Sequence, residues 1–399
     1  FEPELIKTDP TIVIKQGDKV TPRYQDFEKF FAELQKNYPH ESNREFWSLI
    51  YELNHQFYKY ESHYYSNKNL LAKVKSLMSF TPLALKFGKY LSANAKEFIE
   101  KKLAGISDEY MDFLESQILI VAQAPSKEMN FFTAALALGY TFHDNYYAKG
   151  GFSKLFDGLT QNITSVKRSS EVIAIKKLSD CYEVETKKEK VQAKKLILNS
   201  TVYNSGELFE EKQVQKYFAQ YEKLDNHQSS FMLYLTLKSD KKYEHHYQLI
   251  QKEKFEYTNS KALFVSFSDQ SDHEIAPEGH YSVTASIHTD TRTWKDKEKY
   301  AEQKESLKNI LLATIMDELN IQEGEIVDCF AATPNTFMRY IKREQLGGNA
   351  ITMKNFLPFL PSNDTKIKNL YGVGDTTYAA QGWPGVMMGV KNLTRLLDV

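Results

Sequence analysis

Apolar residues along this chain change their spacing from alternating to helical and back again. Near the start, Thr11-Ile-Val-Ile-Lys15 and the run from Val20 flank Gln-Gly-Asp-Lys, which predicts a hairpin turning at Gly17-Asp18. Over residues 26–36, Phe27, Phe30, Phe31 and Leu34 recur with a helical period. Helical spacing then continues to about Gly139. Phe46-Trp47, Ile50-Tyr51 and Leu53 mark one helix, and residues 108–121 another, N-capped near Ser107 with Asp108 and Glu109 in its first turn. After Gly151 the pattern alternates. Residues 171–176, 181–186 and 194–198 predict a meander with polar turns, and residues 231–237, 247–250, 262–267 and 281–287 a second sheet. Residues 297–319 form a long helix by pattern, with Leu307, Ile310, Leu311, Ile315 and Leu319 on one face.

Residues 68–102 stand apart. They hold eight lysines against two acidic residues, Glu97 and Glu100, interleaved with Leu70, Leu71, Val74, Leu77, Met78 and Leu85. Pro82 is expected to divide them into two amphipathic pieces. A basic amphipathic helix can lie at an anionic membrane surface, each lysine adding about 1 kcal/mol. A cap helix with a solvated lysine face has the same pattern, and both readings stay open.

The densest chemical signal is C-terminal: Asn369-Leu-Tyr-Gly-Val-Gly374-Asp375-Thr-Thr-Tyr-Ala-Ala-Gln381-Gly382-Trp383-Pro-Gly385-Val386. It reads as a short strand, an acidic residue at its end, a glycine-punctuated loop and a helix. Glycine lets backbone approach a ligand closely, and the helix N-terminus offers unpaired N–H groups to an electron-rich group. Asp375 is placed to accept hydrogen bonds from sugar-type hydroxyls.

This stretch is similar to the C-terminal signature of the phytoene desaturase-type FAD-dependent oxidoreductases, which include carotenoid desaturases, carotenoid isomerases and retinol saturases. Further blocks follow the family's order. Tyr146-Tyr-Ala-Lys-Gly150-Gly151 resembles its tyrosine–proline–x–Gly–Gly turn, and residues 166–175 its adenine-side strand. Lys194-Lys-Leu-Ile-Leu-Asn199-Ser resembles the strand returning to the cofactor sheet. The others are Ser230-Phe-Met-Leu-Tyr-Leu through Asp272-His-Glu-Ile-Ala-Pro277-Glu-Gly279 to Trp294, and Thr333-Pro334-Asn-Thr336-Phe with Gly347-Gly348.

The resemblance implies an α/β (α+β) chain with a flavin amine oxidase or glutathione-reductase-like FAD fold, a mixed-sheet substrate domain and a helical insertion. The FAD-binding part is expected over 1–22, 140–205 and 326–399, a helical cap over 23–139 and the substrate sheet over 206–325. The strand from residue 326 is expected to run back towards the cofactor. By the same resemblance, Val172 meets adenine through its backbone and Gly150 and Gly151 form a tight turn. Gly374 and Asp375 lie at the ribityl chain or diphosphate, and Gly382, Trp383, Gly385 and Val386 at the isoalloxazine edge. Two departures stand out: Ala148 for a usual proline, and Ala380-Gln381 for a proline–glycine pair in the loop facing substrate.

No GxGxxG occurs in the chain, and its first 100 residues contain only Gly17 and Gly88. The turn that normally holds the diphosphate is thus missing. The expectation is that a stretch of several dozen residues carrying it belongs upstream of Phe1.

Composition narrows the field further. The net charge of −1 argues against a nucleic-acid protein. Cys181 and Cys329, without a C-x-x-C, fit a reducing, cytoplasmic setting and offer no thiolate metal site. No apolar run is long enough to span a bilayer. The 25 Phe and 25 Tyr suit a large apolar cavity for a lipid-like substrate, and equally a codon bias. His245-His246 are strand neighbours that point apart, which disfavours a joint metal site. His143-Asp144, His227, Asp272, His273 and His280 carry no specific pattern. No catalytic side chain is singled out, because hydride exchange between a polyene and a flavin asks the protein chiefly for orientation and water exclusion. Two other readings remain: a flavin amine oxidase, with aromatic residues flanking a small pocket, and a cofactor-free binding or scaffold protein that keeps the fold.

Overall fold

The computed structural model describes residues 1–60, 63–163, 165–356, 360–379 and 382–397. The chain begins with β1 (Leu5–Lys7) and the expected hairpin of β2 (Ile12–Gln16) and β3 (Lys19–Arg23), turning at Gly17 with φ +60°. Six cap helices follow: α1 (Phe27–Asn37), α2 (Asn43–Phe57), α3 (Leu70–Leu91), α4 (Ala95–Lys102), α5 (Asp108–Ala122) and α6 (Phe131–Gly139). Polar side chains cap five of the six, all but α2. Asp26 Oδ1 accepts from Lys29 N at 2.8 Å and Ser107 Oγ from Tyr110 N at 3.2 Å. Their apolar faces converge on one aromatic core containing Phe30, Phe46, Trp47, Phe113 and Phe131, all essentially inaccessible to solvent.

Arg23, at the end of β3, is buried in that core without a carboxylate. Its guanidinium lies 4.4 Å from the Phe30 ring and 4.9 Å from Trp47, and it donates to Gln117, the Leu138 carbonyl and Thr141. Burial lowers its pKa to about 10, which still leaves it charged at neutral pH. Ring quadrupoles and neutral acceptors together stand in for the missing counter-ion.

Pro82 does not divide α3, which runs unbroken from Leu70 to Leu91. The ring sits on the exposed face, and Met78, whose carbonyl loses its partner, is also exposed, so water can take that bond. Leu70, Leu71, Leu77, Met78 and Leu85 are each 69–82% exposed along the helix.

Past the cap, β4 (Tyr146–Ala148) pairs back to β1, and α7 (Gly151–Thr160) follows. The meander consists of β5 (Val172–Lys177), β6 (Tyr182–Thr186) and β7 (Lys190–Ala193). Residues 194–198, expected as its third strand, contribute instead β8 (Leu196–Leu198), which pairs parallel with a C-terminal strand. The third place goes to residues 190–193, whose exposed Lys and Gln alternate more weakly and conceal the strand.

After α8 (Lys212–Ala219) the chain builds β9 (Gln228–Lys238), β10 (His246–Ile250), β11 (Ala262–Phe267) and β12 (His280–Asp290), then α9 (Tyr300–Leu319), β13 (Ile326–Ala332) and α10 (Pro334–Ile341). It ends with β14 (Leu370–Gly372) and α11 (Gly382–Leu397). The large sheet has the order β13-β9-β12-β11-β10-β2-β3. Both β13 and the N-terminal hairpin therefore belong to this sheet and not to the β8–β14 ladder; hydrogen bonding to β9 on one side and β10 on the other captures them. One sheet face, with Leu233, Leu235, Val265, Val283 and Ile287, is sealed by Leu307, Leu311 and Ile315 of α9. Among the described residues no helix is long and apolar enough to cross a membrane.

Trp47 is fully buried and donates its indole N–H to Tyr110 Oη at 2.9 Å. Trp47→Ala is expected to cost about 3–5 kcal/mol, read as a lower urea midpoint, because the aromatic core cannot close over that void.

Candidate functional site

The β8–β14 ladder creates the site. Leu370, Tyr371 and Gly372 pair in parallel with Leu196, Ile197 and Leu198, so both strands end on the same side. A crevice beyond the carboxyl ends of adjacent parallel strands is where open α/β sheets bind ligands. Val172, Ile175, Leu198, Val202 and Leu370 pack together beneath it.

Gly374 stands at the lip with φ +115°, and a Cβ there would lie 2.7 Å from Asn199 Oδ1 at the end of β8. The positive φ favours glycine, and any side chain here would also push the Asn199 amide aside. Asp375 follows, half-buried, its carboxylate held by both Arg343 Nη atoms at 3.0 and 3.2 Å. Its carbonyl accepts from Asn349 N at 3.2 Å, and a Cβ on Gly348 would approach it to 2.4 Å. Asn349 further donates to the Thr376 carbonyl at 2.8 Å and accepts from Tyr203 Oη. The loop is thus gripped by residues 199–203 on one side and 343–349 on the other.

Helix α11 is aimed at this loop by Asn392, whose buried amide donates to the Tyr65 carbonyl and to Asn363 Oδ1, both at 2.8 Å. A Cβ on Gly389 would lie 2.3 Å from the Tyr378 carbonyl, so the helix lies directly on the loop that feeds it. At its N-terminus Gly382 has φ +72°, and Gly385 and Val386 are half-buried. Trp383 meets Phe152 and Phe156 of α7 at 6.4 Å each, which brings the start of α11 beside the Gly150–Gly151 turn. Ala380 and Gln381, where the loop departs from the family pattern, lie outside the described residues.

Gly150 and Gly151 take φ +79° and +70°. Their keeper is Asp272. This carboxylate is wholly buried; Oδ2 accepts from Gly150 N at 2.8 Å and Tyr147 Oη at 2.6 Å, while Oδ1 has no partner. Ile275 and Glu274 of the same β11–β12 loop press on the glycines, so a Cβ at Gly151 would lie 3.1 Å from Ile275 Cδ1. The sequence marks this block only through its resemblance; that its first residue clamps the turn depends on a contact across 122 positions. Arg343 is likewise invisible as a site residue until the fold closes it on Asp375.

The histidines separate. His245 Nε2 lies 3.3 Å from Asp269 and its ring stacks on Tyr147 at 5.0 Å, whereas His246 Nδ1 lies 3.0 Å from Ser266 Oγ on the sheet. His143 stacks on His55 at 4.8 Å within the cap, and burial lowers its pKa. His280 Nδ1 lies 3.0 Å from the Glu278 carbonyl, and His227 beside Asp225; neither joins the crevice.

No family model matches the chain. A chloroplastic prolycopene isomerase of carrot (Daucus carota) is 24% identical over an alignment of 422 residues, covering 94% of this chain. The chain spans 66% of that relative's length. The sequence similarity is thus to a carotenoid-type isomerase, in keeping with the resemblance to phytoene desaturase-type oxidoreductases. Solved structures agree on the fold. A putrescine oxidase superposes with a TM-score of 0.61 at 11% identity, over 100% of this chain and 83% of its own. An oxidoreductase of Methanosarcina mazei gives 0.59 at 16% identity over 98% and 82%, and a cyclohexylamine oxidase of Brevibacterium oxydans 0.54 at 10% over 100% and 83%. The chain therefore has the flavin amine oxidase fold, with a mixed sheet and a helical insertion.

Asp272→Ala leaves the Gly150 amide and the Tyr147 hydroxyl without their acceptor. A loss of about 2–4 kcal/mol in urea unfolding is expected, with Asp272→Asn closer to the parent protein because it keeps one carbonyl acceptor.

Proposed function

We propose that the chain works as an FAD-dependent oxidoreductase on an isoprenoid, polyene or related lipid. The observation that carries this is the pair of parallel strand ends at β8 and β14, with Gly374, Asp375 and the α11 N-terminus gathered beside them. Its donor set suits FAD. Gly374 leaves room for a ribityl chain or diphosphate, and Asp375, its carboxylate held in place by Arg343, would accept from hydroxyls. Val172 lies at the meander edge for adenine. Gly382, Trp383, Gly385 and Val386, in the first turn of α11, would face the ring edge, where the helix dipole would favour negative charge.

When bound, FAD supplies a two-electron acceptor that takes a hydride from a C–H beside the polyene. The protein's share is orientation and exclusion of water. The Gly150–Gly151 turn, held by Asp272, and the loop held by Arg343 and Asn349 fix the two walls between which the substrate must lie. Desaturation, saturation and isomerisation all make this demand.

Peripheral membrane contact completes the reading. Helix α3 carries no acidic residue, and Lys73, Lys75, Lys86 and Lys89 beside its exposed leucines form no ion pair among the described residues. Such a face suits an anionic lipid surface from which an apolar substrate can enter. A flavin amine oxidase is the second reading, favoured by the Phe152, Phe156 and Trp383 rings at the start of α11.

The native-length protein, purified gently in detergent, is expected to show absorbance bands near roughly 370 and 450 nm. Arg343→Ala should weaken flavin retention about tenfold. A colourless protein that takes up no FAD overturns the proposal. Anaerobic loss of the long-wavelength band with polyenes but not with amines decides between the two substrate classes.

In vesicle sedimentation, binding is expected with anionic and not with zwitterionic lipid. Lys73→Glu with Lys86→Glu should abolish it, and unchanged binding by that variant would refute the role given to α3.

A further inference from the structure

The two faces of the large sheet differ in kind. The face under α9 is apolar throughout, whereas the opposite face runs Tyr234, Thr284, Ser266, His246 straight across β9, β12, β11 and β10 in register. All four are half-buried. Ser282 and Ser286 flank Thr284 along β12.

This face borders the site just described. Helix α5 crosses one part of it, with Gln248 Nε2 donating to the Ser116 carbonyl at 2.9 Å, and Gln123 at the end of α5 abuts Gly347 in the loop that holds Asp375. At the far end of β10, His245 stacks on Tyr147, which shares Asp272 with Gly150. The His246 end of the polar row is therefore linked through β10 towards both walls.

Its hydrogen-bonding capacity is unspent. Among the described residues the hydroxyls of Tyr234, Thr284 and Ser286 bond to no other side chain or backbone group. Ser266 meets His246, and burial lowers the His246 pKa to about 4, so the imidazole is neutral at physiological pH. Phe330 stacks on Tyr234 at 5.0 Å and Phe264 on His246 at 5.4 Å, which confines the polar row between rings. A plain hydrocarbon laid here would strip water from these hydroxyls and return nothing. A carboxylate or ammonium would find no counter-charge in the row.

We propose that this row is a specificity element for an uncharged oxygen function, a hydroxyl or carbonyl, on the isoprenoid or polyene. The proposal rests on the functional reading above.

The test compares a linear polyene hydrocarbon with the terminal alcohol of the same skeleton, each titrated in detergent against the flavin-loaded protein and followed by tryptophan fluorescence. The alcohol should bind roughly fivefold to tenfold tighter. Thr284→Val with Ser266→Ala should remove that preference, weakening the alcohol and strengthening the hydrocarbon because fewer hydroxyls lose water, while valine keeps the β-branched shape the strand packs. Equal affinities in the parent protein, a preference for the hydrocarbon, or a preference that survives in the variant would each overturn the assignment. The flavin spectrum of the same samples separates the two readings. Flavin without alcohol preference sinks only the specificity element; alcohol preference without flavin upholds the row and sinks the cofactor.

Discussion

Two strands of three residues each, Leu196–Leu198 and Leu370–Gly372, hold the site together. A ladder so short is marginal by itself. It persists because Leu198 and Leu370 are roots of a cluster with Ile175, Val202, Phe209 and Val214, so burial beneath the ladder substitutes for its missing length. The parallel direction matters more than the number of bonds. It brings Asn199 and Gly374 out on the same side, and the absence of a Cβ at Gly374 lets them meet. Every other site feature is arranged around that meeting point: Arg343 and Asn349 on one flank, α11 above, and the Gly150–Gly151 turn across the gap.

The large sheet works as a partition. On one side, alternate residues of four strands join α9 in an apolar core; on the other, the same strands present hydroxyls, a neutral imidazole and two aromatic rings. Strand alternation makes this division inexpensive, since neighbouring positions serve opposite faces without compromise. It also couples stability to function only loosely. Changes on the polar face leave the α9 core intact, so specificity can vary while the fold stays fixed.

The helical cap meets this partition through buried polar contacts. Arg23 at the end of β3 is enclosed by Phe30 and Trp47 rings, and Gln248 reaches from the sheet to α5. Directional bonds of this kind fix how the cap sits on the sheet more narrowly than apolar packing does. Helix α3 lies at the outer side of that assembly and keeps its leucines and lysines uncovered.

Local pattern by itself determined the kind and extent of most elements. The hairpin at Gly17, the helical period after Asp26, the N-cap at Ser107, the four strands from β9 to β12 and the closing strand–loop–helix all follow from periodicity and turn chemistry, because those forces act within one turn or one hairpin. The resemblance carried by the glycine blocks marked the site in the same way. Tertiary structure alone decided which strands pair. Residues 196–198 leave the meander for a partner more than 170 positions away, and residues 326–332 join β9, because ladder bonds and apolar cover come from segments whose proximity no local pattern records. The roles of Asp272 and Arg343 belong to that second class. Each is an ordinary charged residue in sequence, and each becomes a clamp only where the folded chain brings a glycine turn or a carboxylate within hydrogen-bond reach.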